Sequence, residues 1–487
     1  MRVLIVLLFA LPVAHAELPD PRLTAEQAAE DLRLLQLAMT QTHPGYGRYT
    51  PVADMEAAFA SLQQRASDGI GSNELIVEVS RYLSLLRCDH TKAEIPAGLA
   101  DYRDTEPTYL PFQGRLFGER FYVWHSGVDG LSRGDEIRSI NGRPMTEIVA
   151  AILPLIAFDG YTEHARQTSF GVTSELKGGA LDHFLPLLFG SSAEFVFEVG
   201  GADGNLRELG GSALTYPDWL SLNPEAKGRY RNFSDDDAVR LTFPDETTAV
   251  LAVDTFVNYR TPVDPDDVYR DLMRQLEGRD VLVLDLRQNG GGSEDASIGL
   301  LRYLMDRPFR VYREKRVRSI DHGELREHYS TWEKRALDPN PLGFKSLDNG
   351  EYRLRSLFAG QETRELKPAK MAFKGRLIVM TTRNNASGST ALMTVLKQRE
   401  NTVFVGETTG GNPDGTTAGV LFFLKLPNSG ITVRVPWFLQ VADTDVVYGG
   451  RGLEPDQVVD VSIDDLVAGR DPILQRALEL ASDPSRP

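Results

Sequence analysis

The segment around Ser387 carries a hydroxyl among small residues, between a predicted strand and a predicted helix. Residues 384–389 read Asn-Asn-Ala-Ser-Gly-Ser. A sharp strand-to-helix turn exposes such a hydroxyl as a nucleophile. The unpaired N–H groups at the start of a helix, here including that of Gly388, suit a developing oxyanion. The alternative interpretation is that Ser387 or Ser389 only caps the helix, as serine commonly does.

A second segment, Asp285 to Gly292, ends in three consecutive glycines after an apolar predicted strand. Their backbone amides, with that of Gly291 in the middle, suit an oxyanion hole or an anion-binding nest. A phosphate-binding loop is the competing use, but no Gly-Lys-Ser/Thr follows. A flexible glycine turn is the remaining alternative.

A serine nucleophile needs a base, and a free imidazole with a pKa of about 6.5 suits that role. Of the eight histidines, His90 stands in Cys88-Asp89-His90-Thr91, directly after a predicted helix. His90 is either this base or a structural histidine whose ring nitrogens form hydrogen bonds within the core.

Cys88 is the single cysteine; no second motif makes it a nucleophile, so we expect a buried structural thiol. No His-Glu-x-x-His is present, and neither a metal nor an organic cofactor is predicted.

The elements that must position these residues follow one another in blocks along the chain. Residues 17–98 have helical periodicity, and Thr24 with Gln27 forms a predicted capping box. Residues 99–155 change to strands and tight turns, and residues 156–245 carry no assignable motif. From residue 246 to 470, strands alternate with helices, which predicts a mixed α/β domain with a partly parallel sheet and its site at the carboxyl ends of the strands. Residues 471–487 are interpreted as a C-terminal tail.

The N-terminus and the composition restrict the compartment and the partners. An apolar run follows Met1-Arg2 and ends at Ala14-His15-Ala16, which predicts a signal peptide over residues 1–16 and a periplasmic or secreted protein. No later run reaches about 18 apolar residues, so no stable membrane insertion is expected after cleavage. The net charge of −16 disfavours nucleic acid as a partner. The oligomeric state stays open.

Taken together, the two chemical segments resemble those of the C-terminal processing (tail-specific) serine peptidases. Members carry Asp-Leu-Arg-x-Asn-Gly-Gly-Gly, which Asp285 to Gly292 matches, and then a serine-rich strand-to-helix turn, which Asn385 to Thr390 matches. Gly406 to Thr409 and Gly452 to Asp456 are similar to two further family segments. The resemblance implies a catalytic core of the ClpP/crotonase-like type with Ser387 as the nucleophile. It also implies peptide or protein substrates.

One position departs from the family pattern. In the Ser-Lys branch the base is a lysine, and the corresponding residue here is Asn412, whose amide cannot accept a proton at neutral pH. The tricorn-like branch uses a histidine from ahead of the catalytic core, and the Asp89-His90-Thr91 segment resembles the one that carries it. The orienting carboxylate is predicted to be Glu407. Asp443 and Asp445 are alternatives that a single sequence does not separate.

The middle segment resembles the second half of a PDZ domain. Leu131 to Ile152 contains Gly-Asp-Glu-Ile and Ile-Asn-Gly, so it serves either to bind a peptide by strand addition or as a structural element.

From these features together we predict an exported serine endopeptidase in which His90 activates Ser387 and the amides of Gly291 and Gly388 hold the oxyanion. The competing hypothesis is a non-catalytic ligand- or peptide-binding protein on the same scaffold. The separation of Ser387 and His90 discriminates between the two.

Overall fold

The fold combines helices with several β-sheets, which confirms the predicted mixed α/β class. The computed structural model describes residues 18–172, 177–201, 204–223 and 232–483. The predicted signal peptide, residues 1–16, lies outside the described residues. The chain divides into two compact units. Of the described residues, the smaller unit contains 18–20, 97–152, 170–172, 177–201 and 204–223, and the larger unit contains 21–96, 153–169 and 232–483.

The smaller unit is built on an antiparallel sheet that includes strands from the segment predicted to resemble a PDZ domain. Its strands, in spatial order, are Phe112–Phe117, Arg120–Ser126, Glu136–Ile140, Glu194–Gly200 and Leu206–Ser212, with Arg143–Pro144 paired to Glu136–Ile140. Its helices are Ala97–Thr105, Met145–Ile152, Ala180–Phe189 and Tyr216–Ser221. The predicted tight turn is present, because Asn141 and Gly142 both have positive φ angles, 50° and 75°, as a two-residue hairpin turn requires.

A buried acid in this unit makes its stability depend on pH. The Asp182 side chain is 4% exposed and accepts a hydrogen bond from the Leu110 N–H at 3.0 Å. Burial raises the pKa of the Asp182 carboxyl to about 7 from 3.8. The folded state therefore holds this proton more tightly than the unfolded chain does. The contribution of this proton to the free energy of unfolding is fully present below about pH 4, and it is lost as the pH rises through about 7.

Asp182→Asn is expected to flatten this pH dependence, because an amide can keep the acceptor for Leu110 without titrating. A pKa rise of this size corresponds to roughly 4 kcal/mol of lost stability between about pH 4 and 8. We expect the Tm of the wild type to fall by several degrees more than that of Asp182→Asn between about pH 5 and 8. Differential scanning calorimetry at both pH values measures this, and parallel curves for the two proteins would contradict it.

The larger unit contains the predicted parallel sheet. In spatial order its strands are Val239–Thr242, Thr248–Val253, Val281–Asp285, Arg376–Thr381, Thr402–Gly406 and Gln457–Val458. All neighbours are parallel except the first pair. Helices cover both faces, so successive residues such as Val283 and Leu284 are both fully buried, in separate clusters. This explains why the strand sequences are apolar runs without alternation.

The C-terminal segment of the larger unit is part of this packing. Helix Pro472–Ser482 buries Ile473 and Ala477 against Val281 and Val283 of the sheet. The residues that the sequence set apart as a tail thus begin with a core helix. The other helices of the unit are Ala25–Leu37, Val52–Arg65, Ser72–Ser84, Arg166–Phe170, Pro265–Gln275, Glu294–Leu304, Leu325–His328, Ser387–Leu396 and Ile463–Val467, with a π-helical turn at Ala38–Thr42.

A second, antiparallel sheet of the larger unit includes a short strand from the N-terminal part of the chain. Its strands are Tyr329–Ser330, Thr417–Lys425, Thr432–Ala442, Tyr312–Val317, Tyr352–Leu354 and Phe344–Ser346 in spatial order, with Ala93–Glu94 paired to Thr432–Ala442. A further pair joins Arg22–Leu23 to Ile70–Gly71. The first helix begins with the predicted capping box of Thr24 and Gln27. Within the described ranges, no helix is long and apolar enough to cross a membrane.

Candidate active site

Ser387 lies at the strand-to-helix turn that its sequence predicts. Five residues lie between the end of strand Arg376–Thr381 and the start of helix Ser387–Leu396. Ser387 has a φ of 49°, a left-handed conformation that costs a residue with a side chain about 1–3 kcal/mol. Such strain persists only where the surroundings hold it, and it is frequent at functional sites. The half-buried hydroxyl is therefore held in place at the carboxyl end of a central strand.

Asn385 is the residue that fixes this turn. Its buried Nδ2 donates to the carbonyls of Leu286 at 2.5 Å and Asn289 at 3.0 Å, while its Oδ1 accepts from the Thr382 N–H at 2.7 Å. Its own carbonyl accepts from the Gly411 N–H at 2.8 Å. One amide side chain thus joins the serine turn to the glycine loop.

The structure brings His90 and Ser387 together, although 297 residues separate them in the chain. His90 Nε2 lies 3.1 Å from Ser387 Oγ, and the other ring nitrogen, Nδ1, lies 3.4 Å from Thr416 Oγ1. Both residues of the pair are half-buried. An imidazole nitrogen at this distance is within reach to accept the serine proton.

The loop that carries His90 is anchored on both sides. After it, strand Ala93–Glu94 pairs with Thr432–Ala442, and the Lys92 carbonyl accepts from the Arg434 N–H at 2.9 Å. Before it, Cys88 is buried, and its Sγ accepts hydrogen bonds from the hydroxyls of Thr91 at 3.2 Å and Thr417 at 2.8 Å. Burial raises the pKa of the Cys88 thiol to about 12. Such a thiol is a poor nucleophile, because the thiolate is the reactive form.

Asp159 is a buried carboxylate beside His90 that the sequence did not reveal. One carboxylate oxygen of Asp159, one ring nitrogen of His90 and Cys88 Sγ all lie within 4.8 Å of one another. Asp159 Oδ1 accepts from the Asp89 N–H at 2.9 Å, and Oδ2 has no hydrogen-bond partner among the described residues. Burial raises the pKa of the Asp159 carboxyl, and the charge of the nearby His90 opposes that rise.

The contact with Asp159 joins two segments that are far apart in the chain, so local sequence patterns do not predict it. Asp159 stands in a segment without an assignable motif, and the chain returns to the larger unit there. Its neighbour Gly160 donates to the Arg87 carbonyl at 2.9 Å and has a φ of 54°. A methyl group added at Gly160 would lie 2.2 Å from the Gly450 carbonyl oxygen. The Asp-Gly pair after an apolar run is a sequence signal that could have pointed to a tight turn here.

The three carboxylates proposed from the sequence are engaged with arginines. Glu407 Oε1 accepts from Arg383 at 2.5 Å and 3.1 Å. Asp443 and Asp445 each lie 3.3 Å from Arg313, and the Asp445 side chain is fully exposed. In the described contacts the structure brings Asp159, and none of these three, next to His90.

The glycine loop lies against the serine turn, as an oxyanion hole requires. The Gly291 N–H itself donates to Asn289 Oδ1 at 2.8 Å, so it is engaged within its own loop. The N–H groups of Gly292 and Gly388 have no acceptor among the described residues. A methyl group added at Gly388 would lie 3.6 Å from the Gly292 nitrogen. The two free donors are therefore close together, beside Ser387.

Gly388→Ala is expected to impair catalysis without harming the fold. The added methyl group meets its neighbours at 3.6 Å or more, which is ordinary van der Waals contact, and Gly388 is not among the positive-φ glycines. It would crowd the space from which an oxygen approaches the Gly292 N–H. We expect kcat to fall about 10²–10³-fold with a nearly unchanged Tm, and an unchanged kcat would contradict the assignment of these two donors.

His43 and Asn412 complete the surroundings. His43 is fully buried; its Nδ1 accepts from the Gly45 N–H at 3.0 Å, its Nε2 lies 2.6 Å from Thr91 Oγ1, and burial lowers its pKa to about 3. It is therefore a neutral structural histidine. Asn412, at the position of the family's lysine, donates from Nδ2 to the Tyr49 hydroxyl.

Known proteins are similar to this chain in sequence and in fold. Residues 247–459 match the profile of Peptidase family S41. Two solved structures of mature CPAF, one in complex with lactacystin, share 16% and 17% sequence identity with this chain, each with a TM-score of 0.63. The alignments cover 94% of this chain and 98% and 96% of the CPAF chains. No curated protein matches the chain significantly in sequence.

The match over residues 247–459 includes Ser387 and the glycine loop. Residues 247–459 are thus similar to peptidase family S41, which supports a serine peptidase. The likeness to CPAF over nearly the whole chain shows that the fold is shared as well.

Proposed function

We propose that this chain is an exported serine endopeptidase of the Ser-His type. The observation that carries the proposal is the 3.1 Å separation of His90 Nε2 and Ser387 Oγ at a strained strand-to-helix turn. A non-catalytic binding protein on the same scaffold would not need this pairing. The family match to residues 247–459 supports peptide or protein substrates.

In the proposed reaction, Ser387 Oγ attacks the scissile carbonyl carbon while His90 Nε2 takes the hydroxyl proton. The carbonyl oxygen becomes an oxyanion and accepts from the N–H groups of Gly388 and Gly292. The tetrahedral intermediate then collapses, the C–N bond breaks, and His90 gives its proton to the leaving amine. Water repeats the sequence on the acyl-enzyme and releases the second product.

Asp159 is a positioning residue in this scheme. A buried carboxylate next to the imidazole stabilises the imidazolium that forms when His90 takes the proton. The Asp89 N–H donates to Oδ1 at 2.9 Å, while Oδ2 accepts no hydrogen bond from the described residues. The same role was predicted for Glu407, but the Arg383 guanidinium neutralises that carboxylate.

The Ser-His assignment, in the manner of the tricorn-like branch, is also supported by the surroundings of Asn412. The Asn412 amide has no basic lone pair, and its Nδ2 donates to the Tyr49 hydroxyl. Asn412→Ala should therefore leave fluorophosphonate labelling of Ser387 in place, whereas a base at this position would make the same change abolish it.

Export is proposed from the N-terminal sequence. The apolar run up to Ala14-His15-Ala16 has the form of a cleavable signal peptide, which would release the mature enzyme into the periplasm or the medium.

The antiparallel sheet of the smaller unit has a terminal strand, Leu206–Ser212, with a single neighbour. We propose a PDZ-like role for this unit, since an edge strand can add an extended peptide.

The test is covalent labelling of the mature protein by a fluorophosphonate probe, which reacts with activated serine hydroxyls. Wild type is expected to label, and Ser387→Ala and His90→Ala are not. Labelling that persists in His90→Ala would overturn the assignment of the base. A folded wild type that neither labels nor cleaves a peptide library would overturn the proposed activity.

A further inference from the structure

Three side chains of the kinds that bind transition metals converge next to the serine. Cys88 offers a thiol, His90 an imidazole and Asp159 a carboxylate, and one ligand atom of each lies within 4.8 Å of the other two. Ligands around a tetrahedral zinc ion, with bonds of about 2.0–2.3 Å, lie roughly 3.3–3.8 Å from one another, so shifts of about 1 Å would bring the three atoms to bonding distance. The peptidase mechanism uses His90 and Asp159 but leaves Cys88 without a chemical role.

The surroundings of these groups leave room for a further ligand, because one buried oxygen has no hydrogen-bond partner among the described residues. Asp159 is 4% exposed, and its Oδ2 has no partner among the described residues, which is costly for a buried acceptor. Cys88 is 2% exposed, and two hydroxyls donate to its sulfur, those of Thr91 and Thr417. The Cys88 thiol itself donates to the Thr417 carbonyl at 3.7 Å. When that proton is lost to solvent on metal binding, the two hydroxyl donors stabilise the thiolate and act as outer-shell partners of the metal ligand.

We propose that Cys88, His90 and Asp159 bind Zn²⁺ and that the bound ion reversibly inhibits the peptidase. A thiolate and a carboxylate together carry two negative charges, which neutralise a divalent cation in a site where burial makes uncompensated charge expensive. The sulfur ligand favours zinc over magnesium or calcium, which prefer oxygen ligands. On binding, the Cys88 thiol loses its proton to solvent and a Zn–S bond forms.

Inhibition follows from the electron pairs of the imidazole. A neutral imidazole has one basic lone pair and one N–H. When the lone pair of His90 binds the metal, the remaining nitrogen keeps its hydrogen and cannot accept the Ser387 proton. Chelation of the metal frees the lone pair and restores the base, so the effect is reversible. This inhibitory step rests on the proposed Ser-His function, whereas metal binding itself does not.

Binding is tested apart from catalysis on Ser387→Ala, with Co²⁺ as the probe in place of Zn²⁺. Protein treated with EDTA and then titrated with Co²⁺ is expected to develop a near-ultraviolet thiolate-to-cobalt charge-transfer band, which Zn²⁺ then abolishes by displacement. The additional change Cys88→Ser should remove the band, and Cys88→Ala provides a second variant if the first does not fold. A titration of folded Ser387→Ala without this band would overturn the site.

Inhibition is tested by titrating wild-type peptidase activity with Zn²⁺ and reversing it with EDTA. Cys88→Ser, which keeps Ser387, His90 and Asp159, is expected to retain basal activity and to need at least about 10-fold more Zn²⁺ for half-inhibition. Asp445→Asn is the control: this carboxylate is fully exposed and pairs with Arg313 at 3.3 Å, and its half-inhibition point should not move. An equal half-inhibition point in Cys88→Ser and wild type would overturn the proposal.

The two tests separate failure of the site from failure of the function. A cobalt band in a protein without peptidase activity would leave the metal site standing and refute the proposed reaction. Peptidase activity in a protein without a band would refute the metal site and leave the reaction standing.

Discussion

Ser387→Ala is expected to lower kcat on a peptide substrate by about 10⁴-fold or more. The variant removes the atom that forms the acyl-enzyme, so no other group can replace it in the proposed sequence of steps. KM should change little, because the hydroxyl contributes little to binding the ground state. Steady-state kinetics on the mature protein, with labelling by the fluorophosphonate probe as a second readout, measures the loss.

Ser389→Ala is the matched control for this experiment. Ser389 lies two residues further along the same helix, is fully buried, and lies 3.4 Å from Asn385 Nδ2. Its loss should cost a modest amount of stability and no more than a few-fold in kcat. Comparable losses in the two variants would show that the turn, and not the Ser387 hydroxyl, is what activity needs.

Asp159→Asn is expected to have the second-largest effect, a fall in kcat of about 10²–10⁴-fold. The amide keeps the size of the side chain but removes the negative charge that stabilises the imidazolium. KM should be nearly unchanged. The acidic limb of the pH–rate profile should move to lower pH, because the protonated imidazole loses its neighbouring negative charge. A merely structural role of Asp159 would lower the Tm without moving that limb.

Glu407→Gln separates this assignment from the one made on the sequence. Because Glu407 is paired with Arg383, its neutralisation should cost less than about 10-fold in kcat and leave the pH–rate profile in place. Asp445→Asn, at a fully exposed side chain, should have no measurable effect. If Glu407→Gln lost more activity than Asp159→Asn, the positioning residue would be Glu407.

Much of the fold could be read from local patterns. The capping box at Thr24, the apolar strand Val281–Asp285 and the helix that begins at Ser387 are all where the sequence predicts them. Each depends on residues close together in the chain, on hydrogen bonds within one turn or on burial of one short run. Strand boundaries and the role of the last helix, Pro472–Ser482, were less accessible. They depend on packing against partners far away in the chain.

The amino-acid sequence by itself was enough to predict the nucleophile, the glycine loop and the kind of base, because each prediction depends on a short motif whose chemistry requires those residue types. Only the tertiary structure decided which carboxylate lies next to His90 and which amides remain free for an oxyanion. Asp159 reaches the site through a contact between segments 70 residues apart. The Gly291 N–H donates to the side chain of Asn289 and is therefore not free to bind an oxyanion. Both outcomes follow from how separate loops satisfy their buried polar groups together, which no local pattern encodes.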